Sequence, residues 1–144
     1  MYLTDLYGIN NIAAFKEAFN NHATCCEVFE KLRWPYCVIS PFDSTSKVYK
    51  CSNNKYRCSQ TGKYFNVLTK SIFHGTKLNL AIWFEAIWWM SNTPGISTKE
   101  LSDKLQISLK TAWLIQKKLA SVNQSEGSMP NGKKAMMEWL TQLK

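Results

Sequence analysis

The five cysteines and two histidines of this 144-residue chain are its side chains most able to do chemistry. The cysteines are Cys25, Cys26, Cys37, Cys51 and Cys58. Their number is odd, two are adjacent, and no basic segment followed by an apolar stretch opens the chain, so reduced thiols are expected. Cys25 and Cys26 fall inside a predicted helix and are expected to pack. A Cys–His nucleophilic pair with His22 or His74 has nothing in the sequence to activate it, so no catalytic residue is assigned. A structural zinc site needs four soft or imidazole ligands, commonly paired on two knuckles. Cys37, Cys51, Cys58 and His74 are the residues left for one, and none sits at knuckle spacing. The expectation is no metal and no cofactor.

The second chemistry is electrostatic. Residues 47–77 hold seven basic side chains and no acidic one: Lys47, Lys50, Lys55, Arg57, Lys63, Lys70 and Lys77. Tyr49, Tyr56, Tyr64, Phe65 and Phe73 lie between them. Charges neutralise phosphates while rings stack on bases or pack on sugars, so this stretch suits nucleic acid, with Lys50, Lys55, Arg57 and Lys63 holding phosphates. The plainer alternative is a solvated sheet whose aromatics form its own small core. Residues 1–46 are net acidic, so the formal +8 of the chain is concentrated downstream.

A third pattern lies at residues 96–119. Its apolar set is Ile96, Leu101, Leu105, Ile107, Ala112, Ile115 and Leu119. The turn Gln106-Ile107-Ser108 is short enough for a helix-turn-helix, and small Ala112 allows close approach. The outer face of the second helix then carries Ser108, Lys110, Thr111, Leu114 and Lys117. These residues can reach base edges and phosphates of double-stranded DNA in a major groove. An ordinary three-helix bundle, or the same motif used for protein contacts, is the alternative. Trp113 is expected to pack on the preceding ribbon, with a place on the phosphate backbone as the alternative.

These side chains need elements to hold them, and the predicted class is α+β. A helix is expected over residues 11–32, capped by Asn10 or Asn11 and ended by Trp34-Pro35. Short antiparallel strands follow near 47–51, 55–58 and 63–68, with turns at Ser52-Asn53-Asn54 and Gln60-Thr61-Gly62. A Trp-rich helix over 78–91, a short helix from Ser97 or Thr98 to Leu105 and a helix from Ser108 to about Val122 complete a three-helix unit. Residues 123–132 read as a linker, and 133–143 as a short terminal helix with Met136, Trp139, Leu140 and Leu143 on one side. The segments are therefore 1–35, 36–77, 78–122 and 123–144. A composition of 45% hydrophobic and 13% aromatic residues excludes a disordered basic tail. The absence of an apolar run of about 18 residues excludes a helical membrane span. The length suits one domain or two very small ones.

Taken in order, these stretches resemble the N-terminal region of bacterial insertion-sequence transposases of the DDE type. The matching stretches are residues 25–35 (CCEVFEKLRWP), 56–65 (YRCSQTGKYF), 71–73 with Trp83, and 95–119 (GISTKELSDKLQISLKTAWLIQKKL). The resemblance covers roughly residues 11–122 and implies a helix, a zinc ribbon and a DNA-binding helix-turn-helix. Two departures limit what it implies. The family's two cysteine knuckles fall on Ser40 and Asp43 and on Cys58 and Thr61, so one of four thiolates remains. The nuclease would begin where this chain stops, and after Gly95 only Glu100, Asp103, Glu126 and Glu138 carry carboxylates, too few for two-metal phosphoryl transfer.

The expectation is a non-enzymatic DNA-binding protein with a zinc-ribbon-like sheet that holds no metal, its core filled instead by Tyr49, Tyr56, Tyr64, Phe65 and Phe73 with Val48, Val67 and Leu68. It would be transposase-derived or phage-encoded, and a regulator of transcription in the bacterial cytoplasm, at the nucleoid or in a virion. The alternative is a protein-interaction module that docks on RNA polymerase or a phage particle through its Trp-rich helix and the Met136/Trp139/Leu143 stripe. No membrane partner is expected.

Overall fold

The computed structural model describes residues 11–122. The expected linker and terminal helix at 123–144, with Met136, Trp139, Leu140 and Leu143, lie outside the described residues. Among the described residues the architecture is α+β, with five helices and a three-stranded antiparallel sheet.

The first helical stretch differs from expectation. Residues 11–32 form two helices, α1 (Ile12–Ala18) and α2 (His22–Arg33). Asn11 caps the first, accepting from Ala14 N at 2.8 Å, and Asn21 caps the second, accepting from Thr24 N at 2.8 Å. Ile12, Phe15, Phe19, Cys26, Phe29 and Leu32 recur roughly at helical spacing through both helices. Asn20-Asn21 interrupts that repeat, because an Asn side chain competes for the backbone N–H groups that would otherwise continue a helix. Phe15 and Phe19, four residues apart, share one face, with ring centroids 4.8 Å apart and Phe19 edge-on to Phe84 at 5.4 Å. α2 ends at Arg33 with Trp34 as its C-cap, as the Trp-Pro pair predicted.

The strands are shorter than expected: β1 (Val48–Lys50), β2 (Tyr56–Cys58) and β3 (Tyr64–Phe65), in spatial order β1-β2-β3. Asn53 and Asn54 both adopt positive φ (58° and 57°) in the first hairpin, a conformation that Asn tolerates and tight turns between twisted strands require. β3 stops at Phe65 because Asn66 turns the chain, accepting from Leu68 N at 2.9 Å.

Tyr56, Phe65, Val67 and Phe73 are buried, as a ring-filled substitute for a metal core requires, with Val48 and Leu68 packed against them. Tyr49 and Tyr64, expected in that core, are instead exposed. Strand side chains alternate faces, and Tyr49 and Tyr64 share the outer face with Arg57.

α3 (Leu80–Asn92), α4 (Thr98–Leu105) and α5 (Leu109–Val122) follow, with α3 packed on α2, α4 and α5. Ser97 caps α4 through Glu100 N at 3.1 Å, and Ser108 caps α5 through Thr111 N at 3.2 Å. Leu101, Leu105, Ala112, Ile115 and Leu119 are all buried, while Ile96 and Ile107 pack against the same core. The Trp-rich helix turns its rings mainly inward. Trp83 is buried against Phe73, and partly buried Trp88 meets Phe15 and Trp89. One buried cluster runs from Phe15 through the sheet to Leu119.

Candidate nucleic-acid interface

α5 presents the predicted reading face because α4 holds it from behind. Gln116 donates to Ile96 O at 3.1 Å and accepts from Thr98 Oγ1 at 2.5 Å, and Ser102 Oγ donates to Ile107 O at 2.8 Å. Gln106 adopts the left-handed conformation (φ 56°, ψ 45°) that ends α4 and redirects the chain. Behind α5, buried Ala112, Ile115 and Leu119 fix its rotation. Its outer side then exposes Ser108, Lys110, Leu114 and Lys117, with Thr111 half-buried. Thr111 and Ser108 hydroxyls lie 2.8 Å apart, so both are partly occupied by capping. α5 contains no acidic residue.

Trp113 does not pack on the ribbon, contrary to expectation. It is 50% exposed on the outer side of α5, with the Lys117 ammonium 4.8 Å from its ring centroid. Position 113 follows buried Ala112, so helical geometry rotates it about 100° away from the core. Leu109 (54%) and Leu114 (47%) join it in an exposed apolar strip between the lysines.

The ribbon exposes Lys50, Lys55, Arg57 and Lys63. The ion pairs Lys16–Glu85 and Lys99–Asp103 involve none of the predicted contact residues. Uncompensated cations on α5 and on the ribbon keep a positive field that an anionic polymer can neutralise. A groove of about 620 Å³ runs along α5, floored by Leu78, Trp83 and Ile115 and edged by Lys77, Lys117 and Lys118.

The chain matches no family model, no curated protein and no solved structure.

The positions where a zinc ribbon would carry its knuckles hold a different device. Ser40 is buried, and its Oγ accepts from Phe42 N (3.1 Å) and Asp43 N (3.3 Å). Cys58 is fully enclosed. Burial pushes its thiol up, but hydrogen bonds from the Ser40, Ser46 and Thr61 hydroxyls and from Thr61 N–H outweigh it and bring the thiol down to about 6. Ser46 has one proton to share between this sulfur and Lys47 O at 2.9 Å, so its donation is partial. Asp43 turns away and accepts from Thr45 N and Oγ1 at 2.9 and 2.7 Å. This donor set does not fit a structural zinc: one thiol remains, the hydroxyls are neutral and already bonded, and the carboxylate serves a turn. Cys37 is exposed, Cys51 is half-buried, and His74 accepts from Lys70 N through Nδ1 at 2.8 Å. Among the described residues no group of three or more His, Cys, Asp or Glu side chains could hold a metal ion.

His22 and Cys26 do come together, with Nε2 3.4 Å from Sγ. His22 Nδ1 accepts from Leu80 N at 3.0 Å, which places the ring proton on Nε2, aimed at the sulfur. A ring whose acceptor nitrogen is already used cannot take the thiol proton. The Cys26 thiol is pushed up by burial and by the Glu30 charge. Cys25 is pushed up to about 12 by burial and by Cys26. The pair therefore braces α2 against α3 and has no activated nucleophile. The four-residue spacing of His22 and Cys26 is visible in the sequence, but the Leu80 contact, 58 residues away, is not.

Arg33 of the Arg-Trp-Pro element donates to Val67 O at 2.6 Å and stacks on Trp34 at 5.1 Å. Tyr56 donates to Glu30 Oε1, and burial together with that partner pushes its phenol up to about 12. These bonds fasten the ribbon to α2, so its basic face is held in place rather than hinged. Among the described residues no helix is long and apolar enough to cross a membrane.

Proposed function

We propose that the chain is a DNA-binding protein without enzymatic activity. In this reading α5 enters the major groove as the second helix of a helix-turn-helix, and the ribbon grips phosphates. Lys110 and Lys117, with Ser108, Thr111 and Leu114, reach bases and the adjacent backbone, while Lys50, Lys55, Arg57 and Lys63 neutralise phosphates. The observation that carries it is the acid-free exposed side of α5, whose lysines have no carboxylate partner among the described residues. The resemblance to transposase recognition regions supports the same reading. It makes the protein a transposase-derived or phage-encoded regulator that works where bacterial DNA is, at the nucleoid or in a virion.

Lys110→Ala tests the reader helix. A base contact contributes about 1–3 kcal/mol of discrimination, so binding to a selected site should fall about 5- to 150-fold, with binding to random duplex falling much less. Equal losses on both duplexes would make Lys110 a phosphate contact only. Fluorescence anisotropy on a selected and a scrambled duplex measures both.

The second reading, a protein-interaction module for RNA polymerase or a phage particle, is favoured by the Leu109–Trp113–Leu114 strip. It moves the contact from the Trp-rich α3, where Trp83 is buried, to α5. Trp113→Ala would then abolish a stoichiometric protein complex that survives nuclease treatment.

A further inference from the structure

The outer face of the sheet carries a row whose two tyrosine rings the duplex reading leaves unused. Tyr49 pairs with Arg57 across β1 and β2, and Arg57 pairs with Tyr64 across β2 and β3. The three side chains therefore stand side by side on one face. Both rings are largely open to solvent, Tyr49 at 54% and Tyr64 at 60%. The Arg57 guanidinium lies 5.9 Å from the Tyr64 ring centroid. The opposite face is closed by Tyr56, Cys58 and Phe65, all buried, so the row cannot turn inward without breaking the core. Exposing two tyrosine rings on the outer face withholds their apolar surface from the core, and a ribbon of two- and three-residue strands has little stability to spare.

We propose that this Tyr49–Arg57–Tyr64 row is a stacking platform for unpaired nucleobases of a single strand. Two rings two strands apart are about 10 Å from one another, with a flat cation between them. That spacing accommodates successive splayed bases, one per ring, and an arginine plane stacks on a base as a ring does. Charge complementarity selects the occupant. Residues 47–77 contain seven cations and no acid, so the strand's phosphates are attracted and a second copy of the same face is repelled. The stacking is independent of base identity, so the platform holds a strand without reading its sequence. The proposal rests on the nucleic-acid reading of the same ribbon and adds the state of the strand. It implies that the protein meets DNA or RNA that is locally open, with α5 on a neighbouring paired segment.

The test uses the full chain and three labelled probes: a thymidine 12-mer, a uridine 12-mer and a random 12-base-pair duplex. The wild-type chain should bind a single-stranded probe. Stacking on each ring should contribute about 10-fold, so Tyr49→Ala/Tyr64→Ala should lose about 100-fold on it. Duplex binding should change less than 3-fold, and Tyr49→Phe/Tyr64→Phe should bind as wild type. The salt slope on the single strand should be unaltered by either pair of substitutions, because no phosphate contact is removed. The substituted side chains are exposed, and an unchanged thermal midpoint verifies the fold. Tighter binding of the thymidine or the uridine probe identifies the strand as DNA or RNA, and either supports the platform. An alanine variant that binds the single strand as well as wild type overturns it. So does a wild-type chain that binds duplex but neither single strand, while a chain that binds none of the three probes removes the nucleic-acid reading as well. A dimer of the chain that dissociates in the alanine variant would assign the face to a second copy and overturn the proposal.

Discussion

The triple variant Ser40→Cys/Ser46→Cys/Thr61→Cys should bind one zinc ion per chain. The Ser40, Ser46 and Thr61 hydroxyls lie close enough to the Cys58 thiol to lower it, so thiols at those positions would face the space beside it. Zinc–sulfur bonds of about 2.3 Å put neighbouring sulfurs about 3.8 Å apart, the spacing the four thiols would have to reach. A four-thiolate zinc site contributes on the order of 10 kcal/mol of binding free energy at neutral pH. The variant should therefore be strongly stabilised by zinc and lose that gain to a chelator, with wild type indifferent to both. Elemental analysis after dialysis gives the stoichiometry, and thermal melts with and without chelator give the coupling. A variant that stays metal-free would mean that the hydroxyl cluster does not occupy a knuckle-like geometry. Position 46 is chosen over 43 because Asp43 faces Thr45.

Phe73→Ala should cost about 3–5 kcal/mol of stability. Phe73 is fully buried between α2 and α3, edge-on to Phe29 at 5.1 Å and to Trp83 at 5.4 Å. The loss is a large part of the 5–15 kcal/mol that typical domains possess. Because one cluster spans the helices and the sheet, urea unfolding followed by tryptophan fluorescence and by far-ultraviolet dichroism should shift together in one transition. Two separated transitions would mean that the ribbon and the helices unfold as independent units.

The parts of this fold legible in the sequence are those with local causes. α4, the turn and α5 were readable because Ser97 and Ser108 cap helices through their own third residues, and because Leu101, Leu105, Ala112, Ile115 and Leu119 repeat at helical spacing. The turn residues Asn53 and Asn54 marked the first hairpin in the same way. What was not read depends on distance or on a competing rule. The split between α1 and α2 follows from Asn21 acting as a cap within an apolar repeat that runs through it. The outward Tyr49 and Tyr64 had a usable signal: Arg57 must face water, and its cross-strand neighbours share its face. Exposed Trp113 was decided by its rotation from Ala112, against the expectation that a large ring packs. The Cys58 cluster draws on Ser40 and Ser46, from a loop that no periodicity places. Of the candidate contact residues, all but Thr111 lie exposed on α5 or the ribbon.

If α5 and the ribbon bind duplex DNA through their exposed cations, as we propose, a salt titration of affinity for a random duplex shows it most directly. Lys50, Lys55, Arg57, Lys63, Lys110 and Lys117 are exposed, and each phosphate they neutralise releases counterions. Log affinity should fall with log salt at a slope between about −4 and −6, or about 1,000-fold between 50 and 200 mM. A flat slope, or no duplex binding at 50 mM salt, would contradict it.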